Sequence, residues 1–333
     1  MTRRSVGWWL AIWAAMVLLL VVIGGITRLT DSGLSITEWR PISGALPPLT
    51  EAAWNEEFTK YRQIPEYRLV YPDMTLEGFK RIYLWEFVHR LWARLVGAAL
   101  LIPLIAFWLK GAIARPLRGR LVVLLVLMAG QGALGWYMVR SGLSARVDVS
   151  QYRLAAHLSL ALVIYATAVW TAADILWGDP KPAVSRRFRQ GVSIWAGMVF
   201  LTAVAGAFVA GLRAGKVFNE FPLMAGHFIP PGYWNPALGW ANLFDNVATV
   251  QFHHRWLGVS TALIALVIAW AGFRSFSTGR VRTLTQLAGL MAIVQVTLGI
   301  VTLLGSVPTP PAAAHQAGAV LLFTLGLLIR HEA

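Results

Sequence analysis

Eight stretches of this chain are apolar over lengths that cross a lipid bilayer, and few folds accommodate that. The runs are Trp8–Ile26, Trp85–Leu109, Leu121–Val139, Tyr152–Trp177, Val192–Leu212, Val250–Phe273, Leu284–Leu304 and Ala312–Ile329. A spanning helix needs about 20 mainly apolar residues. Inside hydrocarbon every backbone N–H and C=O must find its partner within the protein, which a helix achieves segment by segment. The expectation is an all-α integral membrane protein with eight transmembrane helices. Composition agrees: 57% of residues are hydrophobic and 13% charged, against about 25% charged in soluble domains. Cysteine is absent, which excludes disulfides, thiolate metal sites, iron–sulfur clusters and covalent attachment of a c-type haem.

The net charge of +14 would suit nucleic acid, but the basic residues sit in short loops between apolar runs, where they set topology instead. We therefore expect no nucleic-acid partner. Arg3-Arg4 before the first run resembles a signal peptide, yet the run is longer than a usual signal core and no small-x-small cleavage site follows, so we read it as a retained helix. Arg3, Arg4, Lys110, Arg115, Arg118, Arg120, Lys181, Arg186, Arg187, Arg189, Arg274, Arg280, Arg282 and Arg330 mark one side; Arg140 and Arg146 are the basic residues of a sparser loop on the other. Both termini are then expected in the cytoplasm of a cell with an inner membrane, and the long segment 27–84 outside. Within that segment Glu51–Arg62 reads as an interfacial amphipathic helix.

The chain repeats itself. Glu86-Phe87-Val88-His89-Arg90 matches Gln251-Phe252-His253-His254-Arg255; Gln131-Gly132-Ala133-Leu134-Gly135 matches Gln295-Val296-Thr297-Leu298-Gly299; Ala155-Ala156-His157 matches Ala313-Ala314-His315. The matches keep their order and spacing. They predict two parallel-repeat four-helix bundles, residues 1–180 and 181–333, related by an axis along the membrane normal; the segment 27–84 is expected to cap the first, or equally to dock a partner protein.

Ionisable residues at a membrane span are costly and mark function by default. His89, His157, His254 and His315 each fall four to six residues inside the outer end of an even-numbered run, about 6–9 Å down at 1.5 Å per residue. Within each half the two spans run the same way, so their imidazoles can face each other as axial ligands of a haem iron. Arg90, Arg94 and Arg255 are fork-shaped donors suited to haem propionates. Packing histidines, or one non-haem metal centre, are the alternatives; the latter would want converging ligands and carboxylates. His253 remains an alternative ligand beside His254, while His227 reads as a loop residue and His331 as a tail residue. The halves differ at Glu86, whose counterpart is Gln251, and at Arg94, whose counterpart is Val259. A buried carboxylate can move protons where an amide cannot; alternatively Glu86 orients a ligand or pairs with Arg90 or Arg94.

These residues, together with Gly24-Gly25-Ile26-Thr27-Arg28-Leu29-Thr30-Asp31-Ser32-Gly33-Leu34-Ser35, resemble the haem A synthase family along nearly the whole chain. Some members carry cysteine pairs in outer loops; this chain is similar to the cysteine-free branch of proteobacteria and mitochondria. The resemblance implies oxidation of the C8 methyl of the substrate haem O to a formyl group, giving haem A for terminal oxidases. It implies Glu86, His89 and His157 as the catalytic set, with His89 and His157 on the substrate iron, and His254 and His315 on a haem b iron. It leaves open whether oxygen is activated or water captured. Haem O synthase, cytochrome oxidase assembly factors, membrane lipid and a second copy of the chain are the partners it admits. Gly97, Ala98, Ala99, Gly130, Gly132 and Gly135 offer small surfaces for the farnesyl chain of haem O, or for helix packing. A dihaem b-type quinol oxidoreductase is the rival reading.

Overall fold

In the computed structural model, residues 3–40, 43–143, 147–178 and 184–333 are described. Arg146, Lys181 and the boundary between the expected halves lie outside them. The helices are α1 (Arg3–Leu29), α2 (Glu51–Tyr61), α3 (Pro65–Leu69), α4 (Leu76–Leu109), α5 (Arg115–Gly142), α6 (Gln151–Leu176), α7 (Arg186–Gly211), the single turn α8 (Asn242–Asp245), α9 (Val247–Ser275), α10 (Arg280–Leu304) and α11 (Thr309–Glu332). There is no β-strand among the described residues. Eight helices, α1, α4, α5, α6, α7, α9, α10 and α11, are long and apolar enough to cross a membrane.

Each apolar run proves to be the middle of a longer helix with polar ends. The largest difference is α4, which starts at Leu76 rather than Trp85. Thr75 caps it by accepting from the Gly78 N–H, satisfying one of the donors that a helix start leaves free. Its first turns carry Glu77, Lys80 and Arg81, which dilute hydropathy, yet Phe79 and Tyr83 are buried. They are buried by protein: Phe79, Tyr83, Phe87, Tyr61, Ile64, Leu34 and Val149 form a small core outside the spanning bundle. The expected amphipathic helix is α2, capped by the Thr50 hydroxyl. It stacks Trp54, Phe58 and Tyr61 on Phe79, fixing the outer segment to the top of α4.

The spanning helices pack with one neighbour order in both halves. α1 lies against α4 and α6, and α5 against α6; α7 and α10 each lie against α9 and α11. The halves meet through α1 on α11, α6 on α7, and α6 on α11. Matched positions make matched contacts. Trp13, fully buried in α1, donates its indole N–H to the Val96 carbonyl at 2.8 Å; Trp195 in α7 donates to the Thr261 carbonyl at 3.0 Å. One contact breaks the pattern: α9 and α10 pack along their length, whereas α4 and α5 barely touch.

Candidate functional site

His157, His254 and His315 lie six or seven positions into α6, α9 and α11, and His89 thirteen into the longer α4. All four are half-buried. Each ring rests on a glycine of an adjacent helix. A Cβ built on Gly24 would stand 3.1 Å from His89 Nε2; on Gly135, 3.2 Å from His157 Cε1; on Gly206, 3.0 Å from His254 Cε1; on Gly299, 2.9 Å from His315 Cε1. These separations are tight for a methyl group, so the absent side chains make room for the imidazoles. Sequence reasoning missed Gly24, Gly206 and Gly299 and read Gly135 as part of a groove. The signal was present in the matched Gln131–Gly135 and Gln295–Gly299 pentapeptides, but small residues in spanning helices usually serve helix packing.

The second-half pair is locked. His254 Nδ1 lies 3.1 Å from the Thr202 carbonyl of α7, and His315 Nδ1 lies 3.1 Å from the Gln295 carbonyl of α10. A carbonyl can only accept, so Nδ1 carries the proton and Nε2 keeps its lone pair, the arrangement of a metal-ligating histidine held by its outer partner. The two rings stand 6.4 Å apart between centroids and are perpendicular. Metal–imidazole bonds of about 2 Å place two rings on opposite sides of one metal with centroids about 6 Å apart. Among the described residues no group of three or more histidines or carboxylates could hold a bare ion. Two imidazoles at this separation, with no third protein ligand among the described residues, fit an iron whose remaining positions a tetrapyrrole fills.

The first-half pair is not locked in this way. His157 Nδ1 is buried without a hydrogen-bond partner, and its Nε2 lies 3.2 Å from the Gln131 amide nitrogen, which also donates to the His157 carbonyl. His253 points elsewhere than His254: its Nε2 meets the Tyr233 hydroxyl at 2.8 Å. His227 lies in the loop, bridged to Met224. His331 is no loose tail residue. It is 2% exposed, flanked by Trp170 and Trp177, and its Nε2 lies 3.0 Å from Asp174 of α6.

The charged residues beside the histidines face the loops at that end of the bundle. Glu86, 2% exposed, accepts from Ser35 Oγ at 2.7 Å and Ile36 N at 2.8 Å on one oxygen and from Arg90 on the other. Arg90 also donates to the carbonyls of Ile36 and Glu38. Arg255 repeats this in the second half, donating to the carbonyls of Phe218 and Glu220, while Gln251 donates to Phe218. The arginines expected to face propionates thus spend these donors on loop carbonyls, and Glu86 pairs with Arg90 while anchoring the loop. Arg94 donates to the Arg40 carbonyl. With Arg40, Arg90, Glu38 and Tyr83 it lines a pocket of about 370 Å³.

The chain matches, over residues 7–327, a family described as cytochrome oxidase assembly protein. It is 48% identical to the heme A synthase of Rhodospirillum centenum, over 98% of this chain and 87% of the relative. It is 46% identical to the heme A synthase of Parvibaculum lavamentivorans, over 99% and 94%. The heme A synthase COX15 of Bos taurus is 43% identical, over 99% of this chain and 82% of its own length.

Proposed function

This chain belongs to the cytochrome oxidase assembly protein family, and from that premise we propose that it is the membrane oxidoreductase that converts haem O to haem A. The C8 methyl group of the substrate is oxidised to a formyl group, losing electrons and protons and gaining one oxygen. His254 and His315 hold haem b in the second half, which supplies one-electron transfer when bound. His89 and His157 flank haem O in the first. Both sites lie toward the outer rim, with the termini on the cytoplasmic side and each half a copy of one four-helix unit.

The difference in how the two pairs are held supports this division. A resident cofactor needs ligands fixed by outer hydrogen bonds, and His254 and His315 have them. A substrate must enter, react and leave, and the unpartnered His157 Nδ1 leaves its ring with less to hold it. The loose contact of α4 with α5 supports a lateral slot for the farnesyl chain. Gly97 on α4 and Gly130 and Gly132 on α5 face open space, with nothing within 4 Å of an added Cβ. Glu86 and Arg90 position the outer segment over the substrate: they hold Ile36 and Glu38, and α2 shuts the segment onto α4.

The observation that carries the reading is the perpendicular pair of lone-pair-bearing imidazoles at 6.4 Å. The test is the pigment of protein purified from cells that make haem O. Haem b together with haem O, a hydroxylated haem or haem A is expected, and His157→Ala should retain haem b while haem A disappears. Haem b alone, reduced rapidly by quinol, would instead mark an electron carrier.

A further inference from the structure

At the end of the bundle remote from His89, His157, His254 and His315, Arg186 and Arg189 of α7 and Arg330 of α11 line an open pocket of about 760 Å³, completed by Gln190, Ser193 and Ile194. The Arg330 Nε donates to Ser193 Oγ at 2.9 Å, which fixes that guanidinium against α7. No carboxylate among the described residues pairs with Arg186, Arg189 or Arg330, although Arg120 and Arg280 at the same end are paired, with Asp174 and Glu332. The first turn of α7 contains no acidic residue either, so the helix dipole adds to the local positive field. The floor is firm: a Cβ on Gly326 of α11 would lie 3.1 Å from Ala196 Cβ, so the helices pack closely just below the pocket. One apolar side chain, Ile194, stands at its edge, 64% exposed. A site with three cationic side chains and an exposed isoleucine at its edge, at the end of an apolar helix pair, matches a phosphodiester headgroup with acyl chains running down the bundle.

Loop basicity alone does not build this pocket. The register that pairs Gly24 with Gly206 and His157 with His315 puts Gly7, Ala11 and Ala172 where the second half has Arg189, Ser193 and Arg330. Only Arg186 has a basic counterpart, Arg4. The positive-inside pattern serves both halves, whereas the converging arginines belong to one.

We propose that Arg186, Arg189 and Arg330 form a binding site for an anionic phospholipid of the adjoining leaflet, clamped between α7 and α11. Phosphate geometry suits guanidinium forks that no carboxylate occupies, and each arginine near a charged surface contributes enough for about a fivefold change in affinity. The lipid braces the half that holds His254 and His315, since α7 and α11 carry Thr202 and His315.

The test is native mass spectrometry of the full chain, released from nanodiscs of phosphatidylcholine doped with phosphatidylglycerol, alongside thermal midpoints in the same discs. Wild type is expected to retain one phosphatidylglycerol and to melt higher than in pure phosphatidylcholine. The triple variant R186Q/R189Q/R330Q should lose the adduct, binding tenfold or more weaker, and its midpoint should no longer respond to phosphatidylglycerol. Arg115→Gln with Arg118→Gln, basic residues outside the pocket, should leave both readouts as in wild type. Millimolar inorganic phosphate in pure phosphatidylcholine should not reproduce the stabilisation. Should the triple variant keep its adduct, the Arg115/Arg118 pair abolish it, phosphate alone suffice, or wild type ignore the lipid, the site does not exist as stated. If the triple variant does not fold, Arg330→Gln alone, which removes one guanidinium and its single bond to Ser193, decides the matter on the adduct.

Discussion

A hydrogen atom in place of a methyl group decides where each imidazole can stand. Gly299→Ala would set a Cβ 2.9 Å from His315 Cε1, and Gly206→Ala one 3.0 Å from His254 Cε1. Overpacking of this kind costs about 1–3 kcal/mol, and here the group that yields is the ligand. Both variants should lose haem b or show altered bis-imidazole spectra, read by pyridine haemochrome assay and electron paramagnetic resonance, while the fold persists. Gly24→Ala, with its Cβ 3.1 Å from His89 Nε2, should lower haem A yield with haem b retained. If all three bind pigment like wild type, the glycines are packing residues only. Glu86 calls for a different test, because its carboxylate is already committed to Ser35, Ile36 and Arg90. Glu86→Gln keeps a neutral acceptor for the Ile36 N–H but leaves Arg90 without its counter-charge. Turnover should fall tenfold or more with pigment content unchanged, a loss of positioning rather than of binding; full activity would make Glu86 interchangeable with Gln251.

Among the elements, the cap of α2, α3 and the start of α4 is where pH should act. Glu66 on α3 is 3% exposed and accepts from the Tyr61 hydroxyl at 3.1 Å. Burial pushes its carboxyl up to about 7, and the nearby Asp31 adds to the rise although the Tyr61 bond opposes it. The folded cap therefore binds a proton that the unfolded segment releases near the usual carboxylate value. Its stabilising contribution is complete below that value and is lost as pH rises through about 7. Hydrogen exchange over residues 61–71, corrected for intrinsic rates, should show the cap opening more readily at pH 8 than at pH 5, and Glu66→Gln should flatten the difference. A cap equally protected at both values would refute the buried acid. The eight spans were legible because hydropathy over a helix length reports burial in lipid. The nine extra residues at the start of α4 were not, because Phe79 and Tyr83 are buried by protein between charged neighbours. That His254 and His315 come together was legible from spacing; the partners of Arg90 and Arg255 were not, because a backbone carbonyl acceptor leaves no mark in the sequence.

For the whole molecule, the proposed duplication makes a prediction about the join between the halves. In a two-fold assembly equal positions meet only at the axis, where identical charges would repel. Asp31 and Arg213 are such a matched pair in the register of Gly24 and Gly206. Both follow their helices in the left-handed region, with φ of 51° and 52°, which costs a residue with a side chain about 1 kcal/mol or more. One is acidic and the other basic, and they meet at 3.1 Å. Around them Arg28 bonds to Asp31 and Asp148 and to the carbonyls of Ala210 and Gly211, Arg213 to Asp148, and Tyr71 to Asp31. The charges of Arg28 and Arg213 offset those of Asp31 and Asp148, and the network ties α1, the segment before α6, the end of α7 and the cap into one joint. Such a joint should be coupled rather than a sum of pairs. Asp31→Asn and Arg213→Gln should each lower the thermal midpoint, each losing on the order of 1–2 kcal/mol because the pair is only partly screened by solvent. The double variant should lose less than the two singles together, with a coupling of about 1 kcal/mol, since each single strands a charge that the other removes. Additivity of the two within about 0.5 kcal/mol would mean that the halves are held by their apolar faces alone and that the opposed charges at the matched positions bear no load.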